Sequence, residues 1–451
     1  MIAIKNIQNC YFIGIGGIGM SALARYMKLL GKEVAGYDKT PSTITSALLE
    51  EGIEISFEDT VDELPYWTSD TDTTLIVYTP AIPASNIILT HFFTNPYTVV
   101  KRAALLGEVT KNSLCLAVAG THGKTTTSAI LGHLLAHCNM PITAFLGGIA
   151  ENYNSNFISK GTEITVVEAD EFDRSFLTLS PDIACITSMD SDHLDIYDDT
   201  NSLEEAFTEF AALLKDPTKL LHKKGLPLNG LTVAIEETAD FEAQNVRIVD
   251  GAYVFDLKIP NDRIEHLTFH LPGHHNLYNA ITALGMAIKA GSPTHCLPEA
   301  LSSFKGVQRR FSYRIRNENL VLIDDYAHHP TELDALYQAV SEMYPTDKKV
   351  IVFQPHLFSR TRDFAEGFAE SLSQFDEVLL LDIYPAREEP IAGVTSKWLL
   401  DLIPNQLKKL IEKSEMASEL IKSGCRIKLV AGAGDIGAEV SDITKKLNNE
   451  D

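Results

Sequence analysis

The stretch GTHGKTTT, residues 120–127, carries the most specific chemical signal in the chain. Gly120 and Gly123 permit a tight turn, and with Thr121 and His122 between them the backbone amides can face an anion. Lys124 adds a full positive charge to the partial charge of a helix N-terminus, and Thr125 and Thr126 follow with hydroxyls. This set suits a nucleoside triphosphate, with amides and lysine on the phosphates and the Thr125 hydroxyl on the accompanying magnesium. The spacing GxxxxGK[ST] would need a glycine at 118, where Val118 stands, so only the shorter GxxGKT core is present.

Two later stretches supply acids. ITVVEADEFDRSF (164–176) is a β-branched run that spills into Glu168, Asp170, Glu171 and Asp173, and CITSMDSDHLDIY (185–197) runs into Asp190, Asp192, His193 and Asp195. Magnesium and triphosphate chemistry needs such ligands at strand ends, and Glu168 and His193 lie closest to the strands. A second glycine constellation stands at Gly14, Gly16, Gly17, Ile18 and Gly19, with Asp38 ending the next strand. That is the pattern of a dinucleotide-binding βαβ unit, the acid placed for a ribose hydroxyl. The glycines and the helix N-terminus recognise pyrophosphate and not the base, so a nicotinamide or flavin dinucleotide and a UDP-sugar both remain open. Thr79, after the run TLIVY, belongs at the carboxyl edge of the same sheet.

Further along, Asn276 and Asn279 share one helix face at i and i+3, where an amide can pair both donor and acceptor of an adenine edge or simply cap the helix. Arg309 and Arg310 read as an anion clamp in an acidic protein. Four strand-like runs then end in polar groups: Asp324, Asp325, Tyr326, His328 and His329; Gln354, His356, Arg360 and Arg362; Asp382, Tyr384 and Arg387; and a glycine turn after IKLVA. His328 and His329 are adjacent and face apart, which disfavours them as a metal-ligand pair.

These residues need parallel strands that deliver them to one edge. The run 114–119 has strand length and apolarity, and an apolar-periodic helix begins at about Lys124. The predicted class is α/β in three domains: a Rossmann-like domain over 1–104, a central, mostly parallel P-loop ATPase domain over 105–310, and a C-terminal Rossmann-like domain over 311–451. A chain of 451 residues is too long for one core. A net charge of -23 argues against nucleic acid or an anionic membrane as main partner, since either would call for a basic face. The six cysteines include no CxxC pair, which predicts a reduced, cytoplasmic protein. The glycine-broken apolar patch at 10–20 lacks a basic leader and is not read as a signal peptide, and no apolar run approaches the roughly 20 residues that span a bilayer.

GIGGIGMS, GTHGKTTT, EADEFDRSFL, DSDHLD, GHHNLYNA, RRF, DDYAHHPTE and QPHLFSRTRD, in this order over nearly the whole chain, resemble the Mur ligase family, ATP-dependent amide ligases of peptidoglycan precursor assembly. GTHGKT and DDYAHHP also fit a related recycling ligase that attaches a tripeptide, whereas GIGGIGM and the QPH block fit the alanine-adding member better. The resemblance implies ATP and Mg2+ as cofactors, and UDP-N-acetylmuramate and L-alanine as small-molecule substrates, with no nucleic-acid or membrane partner and a monomer or weak homodimer. It implies that Lys124 holds the β and γ phosphates, that Thr125 and Glu168 bind magnesium, and that His193 helps ligate a second ion. Asn276 and Asn279 would contact the adenine nucleotide, with Arg310 and Asp325 also at the nucleotide. Gly16, Gly17 and Gly19 would hold the UDP group, and Tyr326, His328 and Arg360 would receive the amino acid. Relatives often carry a basic residue after the QPH histidine. Here it is Leu357, which leaves the carboxylate clamp to Arg360 or Arg362.

Overall fold

The first sheet places the strands Glu54–Ser56, Glu33–Tyr37, Asn9–Ile13, Thr74–Tyr78 and Thr98–Lys101 side by side in that order, all parallel. Asn9–Ile13 is buried at every position, as a parallel strand covered on both faces must be. The strand order reverses between Asn9–Ile13 and Thr74–Tyr78, and ligands of open α/β sheets bind at such a switch. Gly14 and Thr79 follow directly on these two strands.

The computed structural model describes residues 4–190, 200–249, 251–386 and 388–448. Its second sheet has ten strands, with Leu114–Ala119 between Ile164–Glu168 and Ile183–Ile186, parallel to both. The helix Lys124–His137 is buried from Thr125 to Ala136, so it lies inside the fold and needs no amphipathic pattern. The third sheet runs Ser312–Arg316, Val321–Asp325, Ile427–Ala431, Lys349–Phe353, Glu377–Leu380 and Lys408–Leu410; only its first strand is antiparallel to its neighbour. The four strand-to-polar transitions read from the sequence are thus adjacent parallel strands.

The chain forms two compact units, one of Met1–Arg247, Val254–Phe269 and Tyr278–Phe304, the other of Ile248–Tyr253, His270–Leu277 and Lys305–Asp451. The first has a core that takes in Phe12, Leu23, Ala117 and Phe207; the second packs Ile323, Phe353, Phe368 and Leu429. Among the described residues no helix is long and apolar enough to cross a membrane.

One expectation is corrected. Cys138, the C-cap of helix Lys124–His137, forms a disulfide with Cys296, Cα atoms 5.7 Å apart, so the chain is not uniformly reduced. The partners are 158 residues apart, and no spacing rule could join a helix end to the turn Thr294–Cys296. Cys10, Cys115, Cys185 and Cys425 are free and buried.

Candidate active site

Gly120 has φ +126° and Gly123 φ +84°, backbone that side-chain-bearing residues rarely adopt. A Cβ on Gly120 would run into the Thr187 hydroxyl and the amide of Ser188, so the turn is glycine by packing as well as by torsion. The loop rests on the chain that follows Ile183–Ile186: the Thr121 hydroxyl donates to the Asp190 carbonyl at 2.9 Å, the His122 amide to Ser188 Oγ at 2.9 Å, and the Thr187 hydroxyl to the His122 carbonyl. Gly120 therefore supplies the bend for which Val118, inside the buried strand, is not needed.

Gly123 is the N-cap of helix Lys124–His137 and gives it no side-chain cap. Gly17 does the same for helix Ile18–Leu29, whereas Ser42, Asn86 and Thr395 cap their helices with a side chain. Both glycine turns thus leave first-turn amides for an external anion. Lys124 Nζ donates to the Gly120 carbonyl at 2.7 Å and to Glu171 Oε1 at 2.9 Å, and the Glu171 side chain is fully buried. The Thr125 hydroxyl donates to Glu168 Oε1 at 3.0 Å, and Glu168 Oε2 accepts from the Gly147 amide at 3.0 Å. A hydroxyl and a carboxylate converging there are the hard oxygen donors that magnesium takes, with phosphate oxygens and water completing its shell. Among the described residues no cluster of three or more His, Cys, Asp or Glu side chains is placed to hold a metal alone. Thr126 is buried one position further along the helix. His193 lies outside the described residues.

Asn279, 6% exposed, lies against the loop: a Cβ on Gly123 would strike its side-chain oxygen. Asn276 does not cap its helix; its amide donates to the Pro272 carbonyl at 2.7 Å and closes the turn that precedes His274–Lys289. In the first sheet, the Gly16 amide donates to Asp38 Oδ2 at 2.8 Å, so Asp38 is tied to the glycine turn itself. Gly14 has φ +85° and packs on Thr79 and Ile82, and Gly17 and Ile18 lead into the helix that contains Gly19.

In the second unit both arginines lie over one tyrosine ring, Arg309 at 5.0 Å and Arg310 at 5.1 Å from the centroid of Tyr326, but their other partners differ. Arg309 donates to the Gly432 carbonyl and approaches Asp324, which also accepts from Arg314 at 2.9 Å. Asp325 accepts from the amides of Phe311 and Ala327, each at 2.7 Å, and withdrawal from solvent pushes its carboxyl up to about 6 against the lowering effect of Arg310. Asp325→Ala would strand both amides, an expected loss of about 2–4 kcal/mol in denaturant melts at pH 7. Because the folded chain holds the Asp325 proton more tightly than the unfolded chain, its contribution to stability declines as pH rises from about 4 to about 6, a slope the variant should lack.

His328 and His329 do face apart. His329 caps helix Pro330–Met343, accepting from the Thr331 amide, while His328 packs between Tyr326 and His356, its Nδ1 2.9 Å from the Tyr326 carbonyl and 3.2 Å from Glu332. Burial lowers the His328 imidazole below its ordinary pKa, with Arg360, on helix Phe358–Asp363, acting in the same direction and Glu332 against it. Leu357 adopts φ +68° at the start of that helix. The sequence reading missed the Lys124–Glu171 pair, and it passed over Arg102, whose side chain lies at Gly19; nothing but its place directly after Thr98–Lys101 could have drawn attention to it.

Two glycine turns, each at a helix start beside a parallel strand, and an acid-lined triphosphate loop define a nucleotide-dependent enzyme of the α/β class. Three family models match the chain in succession: the Mur ligase family catalytic domain over residues 9–113, the Mur ligase middle domain over 118–287, and the Mur ligase glutamate ligase domain over 309–435. The chain belongs to the Mur ligase family. It is 57% identical to a UDP-N-acetylmuramate–L-alanine ligase of Flavobacterium psychrophilum over 99% of this chain and 100% of that one. It is 58% identical to the enzyme of the same name from Christiangramia forsetii, covering 99% of each. Among solved structures, the UDP-N-acetylmuramate-alanine ligase MurC of Thermotoga maritima superposes with a TM-score of 0.83 at 26% identity, covering 98% of this chain and 100% of that one. A murein peptide ligase of Psychrobacter arcticus shares the fold, with a TM-score of 0.68 at 19% identity over 98% and 99% of the two chains.

Proposed function

We propose that this enzyme forms the amide between the lactoyl carboxylate of UDP-N-acetylmuramate and L-alanine, driven by ATP, in the cytoplasmic assembly of peptidoglycan precursors. The observation that carries this reading is the full-length identity with alanine ligases, joined to a loop whose Lys124, Thr125 and Glu168 suit a magnesium triphosphate. The domains are taken as 1–104 for the UDP-sugar, 105–310 for ATP and 311–451 for the amino acid, in a monomer or weak homodimer.

The sugar carboxylate attacks the γ-phosphate, giving an acyl phosphate and ADP; the alanine amine then attacks that anhydride and phosphate leaves. Both steps develop charge on oxygen, and fixed positive groups in a site shielded from water stabilise it. Lys124 and the amides after Gly123 hold the transferring phosphate, and Asn279 fixes the loop from the other side. Thr125 and Glu168 would hold magnesium, which supplies charge neutralisation on the phosphate oxygens. Gly14 to Gly19, Asp38 and Thr79 seat the UDP group. Asn276, Asn279, Arg310 and Asp325 are assigned to the nucleotide, and Tyr326, His328 and Arg360 to alanine. His193 is assigned to a second magnesium ion.

His328, kept neutral by burial, is able to accept a proton from the incoming ammonium. The apparent KM for L-alanine is expected to rise on acidification only below the ordinary histidine pKa of 6.5, as His328 becomes charged. In His328→Gln that acid-side rise should disappear; an unchanged pH profile would assign the titration elsewhere.

The decisive assay is phosphate release with ATP, magnesium and UDP-N-acetylmuramate, in the presence or absence of L-alanine, glycine, L-serine or the tripeptide. Release that requires both the UDP-sugar and L-alanine is expected. Release with the tripeptide alone would instead place the chain with the recycling ligases.

A further inference from the structure

Arg102 opens the helix Arg102–Thr110 directly after the last strand of the first sheet. Its guanidinium lies over Gly19: a Cβ there would sit 2.5 Å from Nη1 and 3.2 Å from Cδ, so Gly19 is the residue that lets the arginine in. On its other side Nη2 stands 4.0 Å from Asp170 Oδ2, too long for a hydrogen bond, with the arginine side chain 28% exposed. A shallow hollow open to solvent lies between, lined by Arg102, Leu106, Glu168, Asp170, Ser175 and Phe176 among others. Among the described lining residues, Arg102 is the only basic one. Arg102, which lies against Gly19, thus shares this hollow with Glu168, whose carboxylate accepts from the Thr125 hydroxyl.

This inference rests on the reading above. A UDP-sugar seated on Gly14 to Gly19 must extend its reacting carboxylate to the phosphate held at Lys124. On that path the carboxylate passes Glu168, whose charge the magnesium would offset, and Asp170, beside which Arg102 is the basic side chain of the hollow. A guanidinium fork matches a carboxylate in two parallel hydrogen bonds, and an arginine loosely engaged with Asp170 is placed to exchange partners. We propose that Arg102 binds the lactoyl carboxylate of the UDP-sugar and steers it past the acids toward the phosphate loop.

The test compares two ligands that differ in that carboxylate. With wild-type enzyme first shown to release phosphate, kcat/KM for UDP-N-acetylmuramate and the inhibition constant of UDP-N-acetylglucosamine, which lacks the lactoyl group, are measured in Arg102→Ala and Arg102→Lys. Arg102→Ala should lower kcat/KM on the order of 10- to 100-fold, and Arg102→Lys should recover only part of it, since it keeps the charge but loses the fork. Inhibition by UDP-N-acetylglucosamine should stay unchanged, which also certifies that the sugar site is folded. Equal weakening of both ligands would put Arg102 on the pyrophosphate and overturn the proposal, as would no effect on either. A wild-type enzyme that releases no phosphate would instead fail the underlying functional reading.

Discussion

Lys124→Ala is expected to abolish substrate-dependent phosphate release, a loss of at least about a thousandfold, and at the same time to weaken the fold. The activity loss follows if Lys124 plays its proposed part, since the loop then loses the one full charge it offers the transferring phosphate. The stability loss has a different source. Glu171 is fully buried against Lys124 Nζ, and taking away one partner of a buried ion pair costs about 3–5 kcal/mol because the other charge is left without compensation. A simple alanine replacement therefore confounds catalysis with folding. The double variant Lys124→Ala/Glu171→Gln separates them: its thermal midpoint should return toward wild type while phosphate release stays absent. Recovery of turnover in the double variant would remove Lys124 from the chemistry.

Glu168→Gln should lower turnover by about a hundredfold or more at ordinary magnesium concentrations, with part of the loss reversed as magnesium is raised. The substitution keeps the volume and one acceptor oxygen for the Gly147 amide or the Thr125 hydroxyl, but it removes the negative charge. The fold should be little affected, since the residue stays half-buried with a hydrogen-bonding side chain. A magnesium titration of phosphate release, alongside a thermal melt, checks both halves. A magnesium dependence identical to wild type would show that Glu168 serves only to orient Thr125.

The strand, glycine turn and helix around Lys124 were legible in the sequence because three local signals coincide at 114–137: an apolar run of strand length, two glycines and a lysine, and a helix start. Each is fixed within a few residues, and the structure places strand and helix at Leu114–Ala119 and Lys124–His137. The first glycine turn and its Asp38 were readable for the same reason, though only the side-chain placement reveals that Asp38 is bound to the Gly16 amide. What stayed hidden is pairing across long separations. Glu171 stood in an acid cluster where nothing marked it as the partner of Lys124, 47 residues away. Arg309 and Arg310 looked alike as neighbours, and both do lie over the Tyr326 ring, yet only Arg309 is also held by Asp324 and Gly432, partners 15 and 123 residues away that no local pattern could name. The Cys138–Cys296 bond is the same lesson at larger separation.

The backbone on either side of Arg310 has a consequence for how this stretch can change over generations. Arg309 has φ +60° and Phe311 φ +49°, a conformation that glycine or asparagine would adopt with less strain. Neither exchange is open. Glycine at 309 would give up the hold on Asp324 and Gly432, and at 311 it would empty a core position that is 3% exposed. β-branched residues are barred there by the backbone itself. Substitution thus has no easy route at either neighbour, and the tripeptide RRF is constrained by the two residues that flank Arg310 as well as by Arg310.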